Sequence, residues 1–580
     1  MSNFKTVLIE DSRIMDLTDE LSFGVKSSAS QSTYQQFSAI STSNNALNFN
    51  IQIPSESIVI DREIYLQASV LITLKLGNAP ENDVVFAWGQ SESWQSFPLN
   101  KLFTTTQCTI NNTSVSENTQ DIIDVLLRMY DKKTLGKFNS MTPAMPDDAY
   151  ALYADAVGAT NNPLASYNTN GYDLNLNNRG CFPTNVVIRH YIDGVYTDAS
   201  VVSTGLTDTW EIEVSATFTE PFVALSPWLN CQPNMRSGLL GVNNMSMVLN
   251  ISNNLSRVIS TAHQSYNEGL SNSLAPSYIT SISLGSATQP VGISNARLLF
   301  NFLTLTDEQY GKVNTKNICP YATYPRFLST SASQNAIQPK ATATLTSQSI
   351  QLNQISDKIF VAVRIPMSQQ NVACSASFLG ITGVQITFNN ASGLLATASQ
   401  QDLYTKISYA NGSQQNFLEF SGKAVNNNPV SGNVIDIPTT GGFLVLDPVK
   451  DFSLPSFLSA SSLGQFQFQF NVSVYNQYPF PVVPEILIIT MNSGLFITDR
   501  GQSTIFTGLL TKETVMTTKA ENPVPHISSG EYARIVGGNN GNASMGGFSL
   551  KKMHHRQESK VAGASSGGVM SAGRLGRHLR

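Results

Sequence analysis

Thr109-Ile110-Asn111-Asn112-Thr113-Ser114, followed by Gln120-Asp121, returns downstream as Thr387-Phe388-Asn389-Asn390-Ala391-Ser392, followed by Gln401-Asp402. Each copy reads as an alternating strand, an Asn-Asn turn and a Gln-Asp helix start. Other pieces recur in the same order on either side. Upstream, Asp61-Arg62-Glu63-Ile64-Tyr65-Leu66 matches Asp357-Lys358-Ile359-Phe360-Val361. Downstream, Met245, Met247, Leu249 and Ile251 after Gly241 match Phe466, Phe468, Phe470, Val472 and Val474 after Gly464. Loops of unequal length separate the cues, so they indicate two copies of one β-domain rather than a solenoid, whose period is far shorter.

Working outward, period-two alternation begins at Leu47, Phe49, Ile51 and Ile53, the mark of a strand with one buried face. Ile64 to Leu76 is more continuously apolar, as expected of a strand covered on both sides. Thr119 to Lys132 carries the clearest helical spacing, through Ile122, Ile123, Leu126, Leu127, Met129 and Tyr130. Strands resume at residues 185–191, 209–218, 245–251, 278–284 and 296–305. After a Pro-marked crossing at Cys319-Pro320 they continue at 342–352, 358–366, 383–389, 442–446, 466–474 and 485–490. Many strands joined by long loops point to an all-β chain of two tandem eight-stranded jelly-roll sandwiches with short helices. The boundaries read as an N-terminal arm at 1–44, a first jelly roll at 45–315, a second at 335–510 and a C-terminal extension at 511–580.

Charged residues make up only 13% of the 580, about half the usual share, which suits a chain with large contacts to neighbouring subunits. The charge is also uneven. Residues 551–580 carry Lys551, Lys552, Arg556, Lys560, Arg574, Arg577 and Arg580 against Glu558 alone, so this Gly/Ser-rich tail holds +6 and the remainder −11 of a total of −5. Such a segment lacks the apolar residues of a core and stays unordered until it meets a partner.

Five widely spaced cysteines (Cys108, Cys181, Cys231, Cys319, Cys374) without a C-x-x-C pair fit a reducing compartment and neither a disulfide framework nor a zinc site. The start of the chain lacks the apolar stretch of a signal peptide, and no window is apolar enough to span a membrane. No H-E-x-x-H, G-x-x-x-x-G-K-[ST] or G-x-S-x-G motif is present. No catalytic, cofactor or metal residues are assigned. The acidic pairs Asp147-Asp148 and Asp121/Asp124 read as solvated carboxylates, Phe466, Phe468 and Phe470 as sandwich core, and Tyr475, Tyr478 and Phe480 as a loop packing its own aromatics.

Pro98-Leu99-Asn100-Lys101-Leu102-Phe103, followed by a strand, Asn111-Asn112 and Asp121, resembles the major capsid proteins of virophages and Polinton-like viruses. Glu220-Pro221-Phe222 to Ser226-Pro227-Trp228 and Gly238-Leu239-Leu240-Gly241-Val242-Asn243-Asn244-Met245 are similar to capsid proteins of small, adenovirus-like DNA viruses. The resemblance implies a non-enzymatic double jelly-roll capsid protein of the virion. Three copies would form a pseudo-hexameric tile of an icosahedral shell, in contact with neighbouring capsomers. Residues 138–181 and 411–434 would then face outward or between capsomers, toward a host receptor or another tile. The basic tail departs from the double jelly-roll pattern; lying inside, its seven cations would touch genome or internal capsid proteins. Three alternatives stay open on the residues: a single jelly-roll capsid protein with a projection domain, a lectin-like receptor-binding β-protein, and a carbohydrate-active β-enzyme, which the lack of clustered carboxylates disfavours.

Overall fold

The computed structural model describes residues 31–517, apart from 56, 77–87, 89–91, 147–181, 193–194, 198–208, 227–237, 262–278, 307–315, 331–334, 373, 428–433, 453, 456–457 and 479. The C-terminal tail, the first 30 residues of the expected arm and Asp147-Asp148 lie outside the described residues.

The first sandwich uses eight principal strands: β1 (Gln31–Ser38), β2 (Ala46–Gln52), β3 (Tyr65–Leu76), β4 (Phe103–Ile110), β5 (Thr113–Glu117), β6 (Thr209–Pro221), β7 (Asn244–Ile251) and β8 (Ile293–Thr304). The second repeats the series. Its strands are β9 (Lys316–Thr323, continued at Arg326–Thr330), β10 (Thr342–Thr346, continued at Ile350–Gln354), β11 (Lys358–Arg364), β12 (Gly380–Phe388), β13 (Ala391–Leu394), β14 (Leu444–Leu446), β15 (Leu463–Tyr475) and β16 (Glu485–Asp499). A further strand, β17 (Gln502–Thr507), turns back along β16.

Hydrogen bonding orders the first sandwich as β1-β8-β3-β6 in one sheet and β2-β7-β4-β5 in the other. The second runs β9-β16-β11-β14 and β10-β15-β12-β13, the same order with every strand advanced by eight. First–eighth–third–sixth opposite second–seventh–fourth–fifth is the pairing of a jelly roll. The repeated sequence cues fall on matching places. Asp61 and Asp357 enter the third strand of each sandwich. The Asn pairs turn from fourth strand to fifth, and the two alternating runs are the seventh strands, β7 and β15.

Local chemistry explains the correspondence. Asn111 and Asn389 hold φ of 52° and 48°, and each side-chain oxygen accepts a backbone N–H at 2.8 Å from an adjacent stretch of the same chain, at Asn243 and Gln467 respectively. In β15, Phe466, Phe468, Phe470, Val472 and Val474 enter the core while Gln467 and Gln469 stay exposed. Tyr478 is buried with its ring 5.3 Å from Phe480. Cys108, Cys319 and Cys374 are buried thiols.

Two boundaries move. Residues 31–42 are not an arm, because β1 pairs along its whole length with β8 and Ser41–Thr42 pairs with β2. The second sandwich starts at Lys316 rather than 335, since the supposed crossing is its first strand. Pro320 fits there because β9 is an edge strand, where a missing N–H goes unnoticed. A third difference concerns coverage. Strand β3 keeps a half-exposed outer face in its lower part, whereas all seven residues of β11 are buried.

Three short helices follow the first sandwich's strands: α1 (Pro98–Leu102), α2 (Thr119–Leu127) and α3 (Lys132–Gly136). In the second sandwich α4 (Gln400–Asp402) runs into a π-helical stretch, Leu403–Ser408, and α5 (Phe417–Ser421) precedes the sixth strand. No helix among the described residues is long and apolar enough to cross a membrane.

Candidate functional site

The feature that sets this chain apart from two linked sandwiches is the seam between them. On β11 and β16, Ile359, Val361, Val363, Ile486 and Ile488 point into the second core. The alternate residues Phe360, Ala362, Leu487, Ile489 and Met491 point away from it and pack with Ile122, Ile123, Val125, Leu126, Leu127, Met129 and Tyr130 of the first sandwich. A strand covered on both faces needs no polar alternation, which accounts for the apolar run of β11. Phe138 and Ala144 join the same cluster, with Phe138 6.0 Å from Phe97 and 6.4 Å from Tyr65. The described start of the expected outer loop therefore packs inward. Asn411 is likewise buried and donates to the Val445 carbonyl at 3.1 Å.

A chain of charges runs through this apolar seam. Glu220, wholly buried, accepts from the backbone N–H groups of Leu99 and Asn100, the Asn100 amide and the Thr142 hydroxyl, at 2.8 to 3.0 Å. Burial pushes its carboxyl up and these four donors oppose the shift. The start of α1 is thereby fixed, and Lys101 at its end is aimed at Asp124 of α2, 2.9 Å away. Arg257 binds the other oxygen of Asp124. Burial would raise the Asp124 carboxyl, but Lys101, Arg257 and Arg128 overcome it and hold it well below the usual range. Burial likewise lowers Lys101 to about 8, against the attraction of Asp124.

Other members of the network cross from one sandwich to the other. Asp121 receives Arg364 Nη2 at 2.5 Å and Arg326 Nη1 at 2.6 Å, while Arg364 Nε also holds Glu485 at 2.8 Å. Arg128 binds Glu419 of α5 at 3.1 Å and donates to the Ala376 carbonyl at 3.1 Å. Gln95 accepts from Lys101 Nζ and donates to Ser375 Oγ, at 2.7 and 2.8 Å. Asp121 is thus a buried link between the sandwiches and Asp124 a buried counter-ion within the first, neither of them the solvated carboxylate expected from the sequence. The helix had the necessary sign: apolar residues on every side, with charges at positions i, i+3 and i+7, mark a helix with no free face. Lys101, Glu220, Arg257, Arg364 and Glu485 lack such a signal, because their partners lie far away in sequence.

At the far end of the seam β17 grips the Asn111-Asn112 turn. Ser503 Oγ donates to the Ile110 carbonyl at 2.6 Å, its N–H donates to Asn112 Oδ1 at 2.9 Å, and Thr113 Oγ1 donates to the Ser503 carbonyl at 2.6 Å. Nearby, burial raises Glu117 to about 8 against one backbone hydrogen bond from Tyr324. Among the described residues no group of three His, Cys, Asp or Glu side chains is placed to hold a metal. The network is consumed by structure, and the chemistry it offers is rigid attachment.

Comparison with known proteins fits that chemistry. Residues 2–303 match the profile described as the Sputnik virophage major capsid protein 1st domain, and residues 324–494 match the major capsid protein V20 C-terminal domain. Capsid protein V20 of Sputnik virophage is 27% identical over 587 residues, covering 97% of this chain and 90% of its own. The Sputnik virophage structure solved by cryo-EM superposes with a TM-score of 0.76 at 25% identity, covering 92% of this chain and 99% of the other. The mavirus major capsid protein shares the fold, with a TM-score of 0.65 at 14% identity over 90% of this chain and 99% of the other.

Proposed function

The chain belongs to the virophage major capsid protein family, and from that premise we infer that three copies of it close into a pseudo-hexameric tile of an icosahedral shell. One observation carries the reading: the two sandwiches are locked side by side through a seam that is apolar, charged and buried at once. A fixed rotation between like units, repeated head to tail, generates a ring whenever the rotation closes. The single jelly-roll alternative with a projection domain is set aside, because the second sandwich has all eight strand positions.

In this reading the protein works in the virion without enzymatic activity, after synthesis in a reducing compartment. Its partners are its own copies and neighbouring capsomers, with the outer loops available to a host receptor. Residues 551–580 face the interior, where Lys551, Lys552, Arg556, Lys560, Arg574, Arg577 and Arg580 meet genome or internal capsid proteins. Mass photometry of the purified protein is expected to give three times the 62.9 kDa chain. A stable monomer at micromolar concentration and at every salt tested would refute the tile. Particles that lack 551–580 are expected to retain less nucleic acid, and equal packaging would reject the interior role of the tail.

A further inference from the structure

Resting on the trimeric reading, we propose that neighbouring copies join by the outer face of β1, β8 and β3 on one chain against the exposed side of α4 on the next, with Arg297 facing Asp402. The contact within a chain sets a first-sandwich helix, α2, on a second-sandwich sheet. In a closed ring the contact between chains is its counterpart, a second-sandwich helix on a first-sandwich sheet.

Strand register identifies the counterpart residues. Leu299 of β8 lies between Gln36 and Tyr65, as Ile489 of β16 lies between Arg326 and Phe360. Arg297 pairs with Gln67 as Leu487 pairs with Ala362. On the helices, Asn118 and Ser399 are both N-caps, so Asp121 and Asp402 both stand at the third helical position. Asp124 and Val125 correspond to Thr405 and Lys406.

The surfaces that the seam buries, on α2 and on β11 and β16, have counterparts that stand exposed or half-exposed, although Tyr65 at one edge packs on Phe138. Asp121 is buried under Arg364 and Arg326, whereas the side chain of Asp402 is 38% exposed and meets Ser399 and Lys406 of its own helix. Lys406 is 76% exposed and Tyr409, at the end of the π-helical stretch, 64%. On the sheet, Tyr34 is 81% exposed. Arg297 donates through Nε to Gln67 at 2.6 Å and through Nη1 to Gln36 at 2.8 Å. Its guanidinium is therefore drawn toward Gln36, the position that Arg326 occupies in the other sandwich. A cation on the sheet thus matches an anion on the helix, with the polarity that the seam already uses.

The two contacts differ in character. Phe360, Ala362, Leu487 and Ile489 make the internal one dry, while Gln36, Gln67, Arg297 and Asn301 make its counterpart polar, as at surfaces that meet only on assembly.

The test measures subunit exchange between differently labelled full-length trimers. Arg297→Glu and Asp402→Arg are each expected to speed exchange about tenfold or more, and the double reversal to return it to within about threefold of the parent. Asp402→Arg also removes the carboxylate that accepts from the Ser399 N–H and hydroxyl in the capping box, so Asp402→Asn serves as a second variant, expected to exchange faster at low salt and like the parent at high salt. Trimers whose exchange none of these variants changes, or a double reversal no better than the worse single, would overturn this contact while leaving the trimer standing. A monomeric parent protein would instead overturn the trimer itself.

Discussion

Replacing Asp124 by asparagine preserves the shape of the side chain and removes the counter-ion shared by Lys101 and Arg257, both of them fully buried. Breaking one buried pair in this way costs about 3–5 kcal/mol. The second pair adds less than its full share because the two cations differ. Lys101, already lowered to about 8, falls further without Asp124 and sheds its charge near neutrality, which leaves Arg257 to bear most of the loss. A loss of about 3–5 kcal/mol is expected at pH 7, a large part of the roughly 5–15 kcal/mol that holds a domain folded. Its pH dependence follows from linkage. Unfolded, Lys101 binds its proton up to about 10.5, so a fold that has released the proton gains stability as pH rises. The mutant begins this gain below about 8 and the parent only above it, so the deficit narrows between pH 6 and 8. Urea unfolding followed by tryptophan fluorescence suits the measurement, because Trp94 is wholly buried beside Phe218 and urea does not screen charge. A mutant within about 1 kcal/mol of the parent across this range would refute the argument that Asp124 is an indispensable buried counter-ion.

The remaining expectations concern single positions. Glu117 is protonated in the fold at neutral pH. Its raised folded value, about 8 against 4.5 unfolded, means that the stability it confers is complete below 4.5 and lost as pH climbs through 8. Glu117→Gln is therefore expected to match the parent near pH 5 and exceed it by a few kcal/mol near pH 9, and parallel melting profiles would contradict this. Leu487→Ala, on the outward face of β16, is expected to cost about 2–5 kcal/mol, as much as inward Ile488→Ala; a cost below about 1 kcal/mol in chemical unfolding would mean the seam is not tightly packed. Asn111→Ala loses the hydrogen bonds to Asn243 and Gly241 and Asn389→Ala the one to Gln467, each together with a left-handed backbone suited to Asn, for about 1–3 and about 1–2 kcal/mol respectively, and a cost below about 0.5 kcal/mol at either position would deny that turn its role.

The duplication was legible because its cues are local: an alternating strand, an Asn pair at a turn and a capped helix each announce themselves within a few residues. Edge strands did not. Gln31–Ser38 is almost wholly polar because one face meets solvent and only Phe37 packs against the core. Lys316–Thr323 carries Cys-Pro, which reads as a break until the strand proves to be an edge. The seam was the least legible part, since nothing near Asp121 announces Arg364 and nothing near Lys101 announces Asp124. Buried ion pairs depend on tertiary placement, which no periodicity encodes.

The double coverage of β11 and β16 also bears on how the chain is made. Until the first sandwich is in place, Phe360, Leu487 and Ile489 form an apolar outer surface on the second, the kind of transient exposure that leads nascent chains to aggregate. Synthesis runs in the favourable direction, because α2 has left the ribosome well before β11 and is ready to receive it. Residues 316–507 expressed alone would carry that surface uncovered, so the first half of the chain acts for the second as a chaperone that never leaves.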